Sequence, residues 1–264
     1  MHDVPGAVGA GRCATCHAPL RPAARFCASC GSALSVSAIP PPQAPTADLP
    51  AVGAKLALYW RELKRVGWLF GLLLLSSFVL GIVSRVNSSP WPELITAAVD
   101  AALVLGFVIS RFRTLAPLLA MPRVDARAAV HLVLASLGCM LVLAGYFTLL
   151  EHLGVPTIDY VGPYKKAHWP VWSMFTLVSV VPAVVEELAF RGVIQSSLED
   201  VGSEVEAWLI QAALFSVLHL SPIIFPSHFV MGLWFGWVRR RTQSVYPGML
   251  MHGFWNAMVL IADL

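Results

Sequence analysis

Apolar stretches at residues 66–84, 92–110, 129–150, 170–196, 206–220, 226–239 and 245–262 follow one another with only short connections, and no other feature limits the fold so sharply. In hydrocarbon each backbone N–H and C=O must find its partner inside the protein, which a helix achieves within its own segment. Runs near the roughly 20 residues needed to cross a bilayer therefore read as membrane helices, although the last four are uneven in length. The composition, 57% hydrophobic and 12% charged, stands well below the quarter or so of charged residues in soluble domains. The expected fold is an all-α polytopic membrane protein with about seven transmembrane helices. In 264 residues this leaves room for one small extramembrane module.

That module is legible at the N-terminus. Cys13-Ala14-Thr15-Cys16 and Cys27-Ala28-Ser29-Cys30 form two C-x2-C pairs ten residues apart, a spacing that suits four thiolates around a tetrahedral zinc ion. A pair of disulfides is the competing reading, because a segment this short and this poor in apolar residues folds only around a metal or crosslinks. The zinc reading is preferred, and metal-binding thiolates place the module in a reducing, cytosolic compartment. The fifth cysteine, Cys139, lies within an apolar run and reads as a small packing residue. Residues 35–50 then carry five prolines and little charge, the composition of a semi-extended tether. The resulting organisation is a zinc ribbon over 1–34, a proline-rich flexible linker over 35–54 and a membrane domain over 55–264.

Basic residues set the orientation. With the N-terminus inside, inner segments collect Lys55, Arg61, Lys64, Arg65, Arg111, Arg113, Arg123, Arg127 and Arg239 to Arg241, whereas outer loops hold Arg85, Lys165 and Lys166. This is a positive-inside bias. One inner loop is instead acidic, with Glu199, Asp200, Glu204 and Glu206. The net charge of +3 adds nothing to this distribution.

Inside the fourth apolar run stand two adjacent acids, Glu186 and Glu187, followed by Arg191. An intramembrane carboxylate costs several kcal/mol and usually faces a cavity. Glu187 and Arg191 are four residues apart in the acid-first order, so they share a helical face and can form an ion pair. Glu186 points about 100° away without a local partner, which suits a general base for water. A proton relay or cation site is the other use for paired acids. Further polar groups decide between them: Phe215-Ser216-Val217-Leu218-His219 ends the fifth run, and His252-Gly253-Phe254-Trp255-Asn256 lies in the seventh, with His252 and Asn256 aligned on one face.

Taken in order, EExxxR at 186–191, FxxxH at 215–219 and HxxxN at 252–256 resemble the signature of the CAAX protease and bacteriocin-processing family (CPBP, or Abi) of intramembrane glutamic endopeptidases. The resemblance covers about residues 165–262 and leaves the ribbon outside. It implies Glu186 as the base that activates water, His219 as the residue that holds or polarises that water, and His252 with Asn256 as an oxyanion site. Glu187 and Arg191 would support them. The set supplies a base, a proton donor for the leaving amine and donors for oxyanion charge, with no serine or cysteine nucleophile and so no acyl-enzyme. Zinc held by Glu186, His219 and His252 is the competing mechanism, disfavoured by the lack of HExxH, so no cofactor is expected for catalysis.

The function implied is an endopeptidase acting on peptides or membrane proteins in the cell (inner) membrane of a prokaryote, with lipid as its surroundings and the ribbon offering a site for a protein partner. No nucleic acid is expected. The alternative is a noncatalytic scaffold or bacteriocin-immunity protein that binds proteins through the ribbon, and an acid-based transporter is a weaker third. His228 reads as a capping or interfacial residue, with cavity lining the lesser option. Straight parallel helices would hold His219 and His252 at different depths, so convergence demands tilted, broken or offset helices.

Overall fold

In the computed structural model, which describes residues 12–20, 26–33, 49–87, 89–122, 124–155 and 159–264, the chain divides into two units, Met1–Gly53 and Ala54–Leu264. Most of the proline-rich linker and Arg123 fall outside the described residues.

The N-terminal unit is built from one turn used twice. The Cys13 amide donates to the Ala18 carbonyl and that of Cys27 to the Ser32 carbonyl, while His17 and Gly31 donate back to Cys13 and Cys27, all at 2.9 Å. Each turn is closed by an isolated bridge, Arg12 with Pro19 and Phe26 with Ala33. The residue after the second cysteine of each pair has left-handed backbone, with φ 58° at His17 and 71° at Gly31. Glycine adopts this geometry without a steric cost, whereas His17 gives up about 1 kcal/mol to it.

The second unit is an all-α membrane domain, with no strand among the described residues. Its main helices are α1 (Leu49–Val86), α2 (Trp91–Ser110), α3 (Ala126–His152), α4 (171–199), α5 (Glu204–Leu218), α6 (Phe225–Thr242) and α7 (Tyr246–Asp263). Three stretches are long and apolar enough to cross a membrane by themselves: Val52–Ser84, Trp91–Ser110 and Ala126–His152. They expose large apolar side chains such as Trp68, Ile109 and Leu141, as a lipid-facing surface does. The later helices are shorter or more polar: α5 has 15 residues and α6 ends in three arginines. Of the roughly seven spans expected, three are long and apolar enough to stand alone, and the uneven later ones form a group that packs on itself.

Within this group α4 is central, since Glu187, Ala189 to Ile194 and Gln195 to Leu198 are all buried. The helix widens to π geometry at Phe175–Val180 and again at Glu187–Ile194. Pro182 between them has no N–H to donate, so a regular i to i−4 ladder cannot run through it. Ser203 and Glu206 form a capping box that starts α5. Where α5 crosses α6, a Cβ on Gly232 would lie 2.7 Å from the Ala212 Cα, so the close approach requires glycine.

At one end of this unit arginines neutralise the acidic loop. Arg239 makes a two-pronged contact with Glu199 at 2.6 and 2.7 Å. Arg111 joins Glu62, Ser197 and Asp200, and Arg240 pairs with Glu204. The acidic loop thus lies beside basic residues from the ends of α2 and α6.

Candidate active site

Two bonds set the register of α7 against α4. Ser179 donates its hydroxyl to the Gly253 carbonyl at 2.7 Å, and Asn256 donates its side-chain amide to the Val178 carbonyl at 3.2 Å. Both contacts use the first π stretch. One turn further along, a Cβ on Gly248 would sit 2.7 Å from Glu187 Oε2. Glycine there lets α7 approach α4 closely enough to bring His252 against the two glutamates.

The adjacent acids part company as their helical spacing requires. Glu187 is fully buried and pairs with Arg191 at 2.9 Å, Arg191 being equally buried. The guanidinium stands over the Phe215 ring, 4.3 Å from its centroid, so two aromatic and carboxylate partners together replace the water it lost. Glu187 Oε1 also lies 3.2 Å from His252 Nδ1. A carboxylate accepts, so Nδ1 carries the proton and Nε2 is the ring's free edge. That edge faces Glu186, with Nε2 3.9 Å from Oε2. Glu186 Oε2 has no hydrogen-bond partner among the described residues.

Glu186, His219, His252 and Asn256 all line one cavity of about 1070 Å³. His219 sits just past the end of α5, where its Nδ1 lies 2.9 Å from the Phe215 carbonyl. The ring of Phe215 touches His219, His252 and Arg191, with centroids 5.1 Å and 5.9 Å from the two imidazoles. The depth mismatch of straight helices is removed by a helix that stops at Leu218 and by the irregular α4. Base-type, donor-type and imidazole groups therefore line the same cavity.

Three features of this site escape the motifs. His228 is a cavity residue, its ring centroid 3.9 Å from that of His219, and the capping contact at Ile224 is made at the same time. Glu187 orients His252 as well as pairing with Arg191. Asp100 on α2 also lines the cavity and has an unpartnered buried oxygen; the rule applied to Glu186, an acid inside an apolar run, would have found it.

In the N-terminal unit the four cysteine sulfurs lie within 4.8 Å of one another and could hold a metal ion. Sγ separations are 3.7 Å for Cys13 and Cys30 and 3.6 Å for Cys16 and Cys27. Sulfurs at about 2.3 Å from a tetrahedral zinc would be about 3.8 Å apart, so the donor set fits that ion. The Ser32 hydroxyl beside Cys13 and Cys30 favours thiolate and holds the Cys13 thiol down at about 5.

Comparison with known proteins gives one family. Residues 168–258 match the model for type II CAAX prenyl endopeptidases, Rce1-like, a member group of the CPBP family, which bears out the resemblance carried by the three motifs. No curated protein and no solved structure matches. The match supports an intramembrane protease.

Proposed function

We propose that the Rce1-like segment hydrolyses peptide bonds of membrane-associated peptides or proteins with water activated by Glu186, without a covalent intermediate and without a catalytic metal. The observation that carries this reading is the unpartnered Glu186 Oε2 facing His252 Nε2 across 3.9 Å in a cavity that His219 and Asn256 also line. A water bound there gives one proton to Glu186 as its oxygen bonds to the scissile carbonyl carbon. The developing oxyanion is met by Asn256, whose second amide hydrogen is not used by Val178, with His252 one turn away on the same helix. Glu186 then returns its proton to the amine nitrogen as the C–N bond breaks. His219 holds the water from the other side.

Every imidazole in this arrangement commits Nδ1 to a carbonyl or carboxylate, an arrangement directed at proton handling. The four thiolates of the ribbon leave a zinc ion no open position, so that metal is structural. We place the ribbon in the cytosol, where it binds a protein partner or governs access of substrate, and the whole chain in the cell membrane.

Single-turnover cleavage of a membrane-anchored fluorogenic peptide, prenylated and unprenylated, in hydroxylamine and H2¹⁸O tests the reaction type. One ¹⁸O in the new carboxyl group and no hydroxamate is the expected result. Hydroxamate formation would point to an acyl-enzyme and sink the direct-water reading.

A further inference from the structure

Amide hydrolysis at a buried carboxylate poses a problem of acceptors. A nucleophilic water has two hydrogens to give, and its oxygen must keep a lone pair aimed at the carbonyl carbon, so two acceptors must flank it. Glu186 is one of them. The other must be a neutral group with a free lone pair inside the same cavity.

His219 and His228 both meet that description. Nδ1 of His219 lies 2.9 Å from the Phe215 carbonyl and Nδ1 of His228 lies 3.0 Å from the Ile224 carbonyl. Carbonyl oxygens only accept, so in both rings Nδ1 carries the hydrogen and the neutral imidazole offers Nε2 as an acceptor. The rings lie 3.9 Å apart between centroids, and both line the cavity with Glu186. Ser227 completes the support of His228, with its hydroxyl 3.2 Å from Nδ1 and donating to the Ile224 carbonyl at 2.8 Å. A capping residue would need only its Nδ1–H. Nothing in that role calls for a ring that lines the cavity against His219.

Resting on the protease reading above, we infer that His228 is a further catalytic residue, its Nε2 lone pair joining that of His219 in holding the attacking water opposite Glu186. No bond of His228 forms or breaks. The water O–H bond broken in the attack is the one directed at Glu186, and its other hydrogen stays bonded to the imidazole pair until the tetrahedral intermediate forms.

Two substitutions separate this role from packing. His228→Phe keeps an aromatic ring beside His219 and removes the lone pair, while His228→Gln gives up the ring and restores an acceptor. Cleavage of the membrane-anchored fluorogenic peptide by the full chain in liposomes is measured for wild type, both variants and Glu186→Gln. The expected result is a kcat at least tenfold lower for His228→Phe with KM nearly unchanged, and a partial recovery of kcat in His228→Gln. A phenylalanine variant with wild-type kcat, or a loss carried by KM alone, overturns the assignment and leaves His228 a packing residue. A glutamine variant no better than phenylalanine does so as well. If wild type and Glu186→Gln release the same background of product, the protease reading itself falls, and this assignment with it.

Discussion

Glu187 and Arg191 show how far a single side chain can matter here. Both are fully buried and each is the other's charge partner. Removing one leaves an uncompensated charge in a dry interior, which costs about 3–5 kcal/mol. Arg191→Leu is expected to lower the thermal unfolding temperature of the membrane domain sharply, and the double variant Glu187→Gln with Arg191→Leu to recover much of the loss; differential scanning fluorimetry in detergent reads both. Glu186 differs in kind, because the role proposed for it is chemical and its Oε2 has no hydrogen-bond partner among the described residues. Sequence reading reached these residues because an acid in an apolar run is costly enough to announce itself. It read His228 as a capping or interfacial residue, with cavity lining the lesser option, because an imidazole near a proline turn looks the same whether or not it lines a cavity. The 3.9 Å ring contact with His219 exists only after α5 and α6 have folded back on each other.

Helices and turns carry the next level. Gly232 lets α5 and α6 cross closely, and a methyl group there would meet the Ala212 backbone. Gly232→Ala should therefore destabilise by about 1–3 kcal/mol, the usual range for overpacking, seen as a lower midpoint in thermal unfolding. In the ribbon, His17 occupies the left-handed position that Gly31 fills in the second turn. His17→Gly is expected to slow metal release to a competing chelator, whereas Gly31→Val should speed it. Ser32 favours the thiolates of Cys13 and Cys30. With a lowered thiol pKa in the folded ribbon, its contribution is complete above the ordinary thiol range and lost as pH falls through about 5. Ser32→Ala should shift acid release of zinc to higher pH, measured with a zinc-sensitive dye. The two C-x2-C pairs were readable from spacing alone. The π stretches of α4 were not, since Pro182 signals a broken ladder without saying how the helix repairs it.

Across the whole chain, hydropathy declared the membrane class, and the three motifs drew out the same segment that matches the Rce1-like family. Hydropathy also marked the last four runs as uneven, and the helices there are shorter or more polar than the first three. Freestanding apolar helices occur in the first part of the chain, and the candidate site lies in the part whose helices bury one another. The acidic loop between α4 and α5, odd under the positive-inside rule, is paired with arginines from α2 and α6. The central claim is that Glu186 activates the water for peptide hydrolysis. Its most direct test is cleavage of a membrane-anchored peptide in liposomes by wild type and by a Glu186→Gln variant whose unfolding temperature is unchanged. Loss of about 100-fold or more in kcat is the expected result; cleavage by Glu186→Gln at the wild-type rate would contradict it.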